Sequence, residues 1–357
     1  MSIVLPERLD EMYDRIIRLV LSGRAPERQL ARDVFVWLVY AARQLTLSEL
    51  QDAIVLETLP ESHNDRRSDS DFRNAILSAC ACLIEVDGKH KHASVRFIHV
   101  SAREYLVGAA PCDGNHATPS HESGRLELCP LECHSKLARA CLLCIKFHLP
   151  TQQITGDGGL IQAEPAIEAQ ISSPFFEYAS GSWIDHLHDA VTSAQGGRAV
   201  SLHRSKELES VIQCLHSFLK NGFAVMSWIE VMYALSDPPD AKQLARWAKI
   251  ASSSADLLLG DEHRQSLKVT QDFSHYLIRL ANLWGDNLSK NPHCIWEEVT
   301  AFTPHNLLPR NMGFIVRTVR DESDDSSHQT PLREVVELGA FEDNQSALGT
   351  VTIYPSK

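Results

Sequence analysis

Residues 31–54 read ARDVFVWLVYAARQLTLSELQDAI, and this stretch decides how the rest of the chain is interpreted. An apolar helical segment is followed by a helix-start signature, in which Thr46 and Glu49 are spaced to cap each other's backbone N–H groups. Leu45 and Leu50 flank this capping box and are predicted to pack together as a hydrophobic staple. The stretch therefore predicts two helices joined by a short, capped connection.

The residues that follow extend this pair of helices into a recognisable order. The sequence predicts three further elements: a helix over 71–80 and strands over 83–86 and 95–99. Gly88 tolerates the positive φ that the loop between the strands requires, and residues 89–94 are enough to form a wing. A second capping box, Ser101 with Glu104, predicts a last helix. The order helix, helix, helix, strand, strand, helix is that of a winged helix.

The inward faces of these elements predict a single hydrophobic core for the winged helix. A helix buries residues three and four positions apart, whereas a strand buries alternate residues. The predicted core residues are Trp37, Leu38, Leu50, Ile54, Ile76, Leu83, Phe97 and Leu106.

The amino-acid composition and the net charge of the chain disfavour several classes of function. The chain has 357 residues, 44% of them hydrophobic and 22% charged, which is typical of a soluble protein. Its formal charge of −12 opposes non-specific binding to nucleic acid or anionic lipid. No apolar run approaches the ~18 residues that span a bilayer. The nine cysteines are an odd number and several lie in apolar segments, so we expect reduced thiols and a cytoplasmic location, with no membrane and no nucleic acid as partner.

The chain as a whole is predicted to be mainly α, with a winged-helix domain, an α-helical domain and a short β-rich C-terminal tail. Helical patterns recur near 131–149, 174–194, 201–220, 223–236, 239–258, 264–290 and 293–301, and β-rich patterns occur at 314–319 and 350–354. The predicted divisions are an N-terminal helix (1–25), the winged helix (26–110), a Pro/Gly/Ser-rich linker (111–128), the helical domain (129–305) and the tail (306–357). We expect the tail to be the truncated start of a further domain.

The quoted stretch, together with FIHVSAREYL at 97–106, resembles the winged helix that follows the nucleotide-binding core of fungal NACHT proteins. These are STAND-type signalling NTPases, and the segment is also known as the winged helix of GPI inositol-deacylase-like proteins. LPERLDEMYDRI at 5–16 resembles the helix that closes the NACHT helical region. Sparser similarities run from 134 to 304. The resemblance implies a winged helix that relays the state of an NTPase core to a sensor region.

The chain departs from these relatives in one decisive respect. It contains no G-x-x-x-x-G-K-[ST], and therefore lacks the phosphate cradle of a P-loop. We expect no enzyme activity and no cofactor, and the implied partners are other proteins or an NTPase core supplied in cis in a longer form. The resemblance makes His99 a candidate contact to nucleotide phosphate, whereas a histidine packed at a strand end is the alternative interpretation.

Five side chains form a candidate zinc site. They are Cys129, Cys133, His134, Cys141 and Cys144. Zinc requires thiolate and imidazole ligands in tetrahedral geometry. Cys141 and Cys144 lie one helical turn apart within an apolar run, where free cysteine commonly packs as a small hydrophobic residue. Core packing is therefore the preferred interpretation, and no metal is predicted. Cys80 and Cys82 lack the C-x-x-C spacing of a redox pair and are also predicted to be structural.

Two further functions are weighed against the residues. The first is a hydrolase, suggested by Ser180, Ser182, Asp185, His186, His188 and Asp189. The segment lacks the G-x-S-x-G elbow and the strand-to-helix context that a nucleophilic serine needs. The second is a nucleic-acid-binding winged helix, the alternative to the regulatory interpretation. Arg73 is the only basic residue of the third helix, and this disfavours DNA binding.

Overall fold

A computed structural model describes residues 7–58, 67–88, 93–108, 126, 128–149, 173–192, 206–258, 261–296, 298–302, 306–308, 314–319, 335–342 and 345–352. Contacts among them divide the chain into two compact units. The first unit draws its described residues from 1–149, 168–220 and 239–278, and the second draws its own from 150–167, 221–238 and 279–357. Each unit is described by itself below.

The first unit begins with α1 (Glu7–Ser22), which is followed by a winged helix. The elements of the winged helix are α2 (Ala25–Tyr40), α3 (Leu47–Thr58), α4 (Asp69–Ala79), β1 (Ile84–Asp87), β2 (Ser94–Phe97) and α5 (Val100–Gly108). β1 and β2 pair antiparallel, and Gly88 has the expected positive φ of 91°. Thr46 forms an isolated antiparallel bridge with Ser94, which adds a third short segment that the sequence did not predict. The predicted order of elements is confirmed, whereas the tip of the wing lies outside the described residues.

The two predicted capping boxes have different outcomes. At the start of α3, the N–H of Glu49 donates to Thr46 Oγ1 (3.2 Å) and the N–H of Thr46 donates to Glu49 Oε2 (2.7 Å), so the first box is confirmed. The second box is wrong, because α5 begins at Val100, ahead of Ser101. The Ser101 hydroxyl instead lies 2.7 Å from the hydroxyl of Tyr13 on α1.

Five of the eight predicted core residues are buried in the winged helix as expected. They are Leu50, Ile54, Ile76, Leu83 and Leu106. Leu38 and Phe97 are only partly buried, although Phe97 stacks on Phe35 at 6.1 Å. Trp37 is fully buried but on the opposite side of α2, where it contacts residues that follow the winged helix in sequence. Its assignment to the core of the winged helix was therefore wrong.

α1 packs against α5 within the same unit. The rings of Tyr13 and Tyr105 lie 5.2 Å apart, and the Tyr105 hydroxyl donates to Asp14. Tyr13, Ile17 and Val20 form the buried stripe of α1, at the spacing expected for one helix face.

The rest of the first unit is helical. It contains α6 (Pro130–His148), α7 (Phe176–Thr192), α8 (Lys206–Lys220) and α10 (Ala241–Leu258), together with the first part of α11 (Asp261–Lys290). α6 packs against α7, α8 and α3. The helices predicted near 131–149, 174–194, 201–220, 223–236, 239–258 and 264–290 are confirmed, with ends that differ by up to about five residues. The helix predicted near 293–301 is wrong, because that segment forms a 3₁₀ helix and a separate short α-helix. Within the described part of the chain, no helix has both the length and the apolar character needed to cross a membrane.

The second unit contains α9 (Gly222–Ala234), a 3₁₀ helix (Pro292–Ile295), α12 (Glu298–Phe302) and an antiparallel sheet. Trp296 Nε1 donates to the buried carboxylate of Glu230 on α9 at 2.9 Å. The sheet has the strand order β3 (Phe314–Val319), β4 (Val335–Glu342), β5 (Gln345–Thr352). These strands fall in the segment that the sequence predicted to be β-rich, and the sequence missed the middle strand.

Candidate functional site

The candidate site is a buried polar junction between the winged helix and the helices that follow it. α2 contributes Asp33, Trp37 and Tyr40, which lie at i, i+4 and i+7 and therefore share one face of the helix. This face is turned toward α6 and α7, whereas Phe35 on the other side contacts β2. α2 is thus buried on two sides and belongs to both halves of the unit.

An ion-pair network forms one end of the junction. Lys136 Nζ on α6 lies 2.5 Å from Asp33 Oδ1 on α2 and 2.9 Å from Glu57 Oε2 on α3. The other oxygen of Glu57 accepts a hydrogen bond from Trp37 Nε1 at 3.1 Å. The two carboxylate side chains are 1% and 2% exposed, so a single lysine is paired with two acids that are almost completely buried. Three helices are joined at this point.

Burial sets the protonation states in this network. It raises the pKa of Glu57 to about 7, an effect that Lys136 opposes and Asp33 reinforces. Burial alone would lower the pKa of Lys136, but its ion pairs with Glu57 and Asp33 outweigh burial, and the pKa is raised. Lys136 is therefore always charged at neutral pH, while Glu57 titrates close to it.

Two buried histidines form the other end of the junction. His134 on α6 and His186 on α7 approach each other with their Nδ1 atoms 3.1 Å apart. His186 Nε2 lies 2.8 Å from the Tyr178 hydroxyl, and the ring of Tyr40 packs edge-on against His134 at 4.9 Å. Burial lowers the pKa of His134 to about 4 and the pKa of His186 well below its usual value, so both rings are neutral at pH 7.

Tyr178 connects the histidines to the capping box of α3. Its hydroxyl accepts a hydrogen bond from the N–H of Ala42 at 2.9 Å, just after α2 ends. The Arg43 guanidinium lies 5.1 Å from the centre of the Tyr178 ring and donates two hydrogen bonds to Glu49. The same Glu49 caps the backbone of Thr46. The capping box that the sequence predicted at the start of α3 is therefore linked, through Arg43, to Tyr178 on α7, which lies more than a hundred residues later in the chain.

The five zinc candidates do not come together as a ligand set. All lie on or next to α6, where Cys129 is the N-cap and the other four are within the helix. Burial raises the pKa of Cys133 to about 12 and also raises the pKa values of Cys141 and Cys144, which disfavours the thiolate form that zinc binds. Within the described ranges, no three His, Cys, Asp or Glu side chains are grouped as a metal site would require.

The remaining sequence candidates occupy separate positions. His99 is exposed, and its Nδ1 accepts the N–H of Ser101 at 3.1 Å, so the packed-histidine interpretation is wrong. The six hydrolase candidates all lie on the single helix α7. Among these six, His186 is engaged with Tyr178 and His134, and His188 lies 3.4 Å from Asp189.

Two basic residues on the elements with which a winged helix would read DNA make contacts within the domain, whereas the tip of the wing lies outside the described residues. Arg73 on α4 donates to the backbone carbonyls of Val86 (2.9 Å) and Gly88 (3.5 Å). On the hairpin, Arg96 is paired with Glu85 at 2.7 Å and with Asp87 at 3.4 Å. These cations are already neutralised or hydrogen-bonded within the domain.

We therefore expect no binding to duplex DNA. A gel-shift experiment at low salt, where electrostatic binding is strongest, should show free DNA at every protein concentration. A shift that depends on DNA sequence would instead favour the nucleic-acid-binding alternative.

The sequence singled out some junction residues for the wrong reason and missed others. His134 entered as a zinc ligand and His186 as a hydrolase residue, and nothing in their spacing of 52 residues joins them. Asp33 and Glu57 were missed, although a charged residue inside an otherwise apolar helix is a signal, because a buried charge needs a partner. The identity of that partner, Lys136, depends on how α6 packs.

Comparison with known proteins identifies the first part of the chain. Residues 20–117 match the family described as "GPI inositol-deacylase, winged helix domain". The chain is also similar to the "Azaphilone pigments biosynthesis cluster protein L" of Monascus ruber, with 32% identity over 106 residues. That match covers 29% of this chain and 22% of the relative, so the chain spans well under two thirds of the relative's length. No solved structure matches the chain.

Proposed function

We propose that the chain is a non-catalytic regulatory module of a NACHT-type signalling protein, and that its winged helix relays conformational change to the helices that follow. The observation that carries the proposal is the junction on α2. One helix supplies both the core of the winged helix and the face that binds α6 and α7. A displacement of the winged helix is therefore transmitted to the helical part, as interface rearrangements are in other switching proteins.

The resemblance to NACHT proteins supports the direction of the relay. In that arrangement an NTPase core, supplied in cis in a longer form, acts on the winged helix, and protein partners are bound elsewhere in the assembly. The sequence contributes no P-loop of its own, which favours a relay over a nucleotide-binding role. A cytoplasmic location is part of the same proposal.

The proposal predicts that the winged helix and the helical part of the first unit unfold as one cooperative body. Native-state hydrogen exchange at pH 7.5 should give amides of α4 and of α8 the same opening free energy, because the junction couples them. Lys136→Met should make the two values differ, whereas Lys146→Met, an exposed position on the same helix, should leave them equal. Independent opening of α4 and α8 in the unaltered protein would contradict the relay.

A further inference from the structure

The contact between His134 and His186 restricts how many protons the junction can hold. Their Nδ1 atoms are 3.1 Å apart, a hydrogen-bond distance at which one hydrogen fits between the two rings. One of the two nitrogens must therefore be an acceptor, and the two imidazoles cannot both be cations. The two residues are only 4% and 1% exposed, so water cannot solvate a second positive charge there.

The pair is connected to the backbone that joins α2 to α3. The Tyr178 hydroxyl lies 2.8 Å from His186 Nε2 and also accepts the N–H of Ala42. The Tyr40 ring, at the C-terminal end of α2, packs on His134. His134 contacts the last turn of α2 directly, and His186 is connected through Tyr178 to the residues that follow that turn.

The groups that face the two rings do little to stabilise the positive charge of a protonated imidazole. α2 presents the neutral rings of Trp37 and Tyr40, and α7 presents Tyr178. The charged groups nearby are already engaged, because Lys136 is paired with Asp33 and Glu57, and Arg43 with Glu49. Asp189 on α7, a half-exposed carboxylate, favours the charged form of His134, but burial of the ring outweighs it.

We propose that the His134–His186 pair is a proton-sensitive latch, and that proton uptake by the two imidazoles separates them and releases the end of α2 from α7. The inference rests on the proposed function, since it names a condition that would regulate the relay. In the closed state both rings are neutral, whereas in the open state both are hydrated and return to the ordinary histidine pKa of about 6.5. Acidification therefore favours opening.

The direction of the pH effect follows from the shifted pKa values. The pKa of His134 is lowered to about 4 and that of His186 is also lowered well below its usual value, so opening takes up about two protons between about pH 6 and pH 5. Glu57 acts in the opposite direction, because its raised pKa of about 7 means that it releases a proton when it becomes hydrated. The net uptake is about one proton, which corresponds to a tenfold change in the opening equilibrium per pH unit.

The test is hydrogen exchange of the Ala42 amide in the full chain, with each observed rate divided by the intrinsic rate at the same pH. Between pH 6 and pH 5 the opening equilibrium should rise about tenfold. Glu57→Gln removes the opposing proton and should steepen the rise to about fiftyfold. His134→Gln removes one of the two imidazoles and should make the profile flat. His99→Gln, an exposed histidine outside the junction, should keep the tenfold rise.

The outcomes separate the latch from the relay. A flat profile in the unaltered protein overturns the latch without any variant, and so does a tenfold rise that persists in His134→Gln. If the latch fails in this way while α4 and α8 still open together at pH 7.5, the proposed relay stands. If α4 and α8 open independently at pH 7.5, the relay itself is wrong.

Discussion

Lys136→Met is expected to lower the free energy of unfolding of the first unit by about 3–5 kcal/mol, the range for removing one partner of a buried ion pair. The substitution keeps the length of the side chain but leaves Asp33 and Glu57 buried without the lysine that pairs with both. Glu57 can recover part of the loss by taking up a proton, since its pKa is already about 7. Urea denaturation at pH 7.5 measures the change.

Two comparisons establish that the lost charge is the cause. Lys146→Met changes an exposed lysine on the same helix and should shift the free energy by less than about 0.5 kcal/mol. Adding Asp33→Asn and Glu57→Gln to Lys136→Met removes the uncompensated charges and should restore much of the stability. If Lys136→Met lowers the free energy of unfolding as little as Lys146→Met does, the ion-pair network does not stabilise the packing of the three helices.

Trp37→Ala is expected to cost about 3–5 kcal/mol in the full chain, as other large aromatic deletions from a core do. The indole makes edge contacts with Phe175 (5.3 Å), Tyr178 (5.9 Å) and His186 (6.3 Å), and its Nε1 also binds Glu57. The loss therefore combines a cavity with a buried carboxylate that has lost a donor. Equilibrium unfolding of the full chain in urea gives the value.

Thr46→Ala provides a reference against which the loss of stability in Trp37→Ala can be compared. It removes only the side-chain half of the capping box on α3 and should cost about 1 kcal/mol. Trp37→Phe should fall between the two, because it keeps part of the ring contact but not the hydrogen bond to Glu57. A Thr46→Ala cost larger than that of Trp37→Ala would mean that Trp37 does not fill the junction.

The local pattern of the sequence predicted most of the secondary structure. The box formed by Thr46 and Glu49 was predictable because its two hydrogen bonds join residues three positions apart. The second box failed because the Ser101 hydroxyl has two competing partners, the imidazole Nδ1 of His99 at 2.6 Å and the hydroxyl of Tyr13, which is 88 residues away. The middle strand β4 was missed, and its pairing depends on both neighbouring strands rather than on its own residues.

Periodicity, caps and motifs act over a few residues, and they were therefore enough to predict the winged helix, the helices after it and the lack of a P-loop motif. The face of α2 that binds α6 and α7 follows from the tertiary structure alone, since an apolar helix that is buried on both sides has no polar face to orient it. It also decided that His134 meets His186 and that Lys136 serves both Asp33 and Glu57. A charged or imidazole side chain that becomes buried needs a hydrogen-bonding or charged partner, but which residue is that partner depends on how the helices pack.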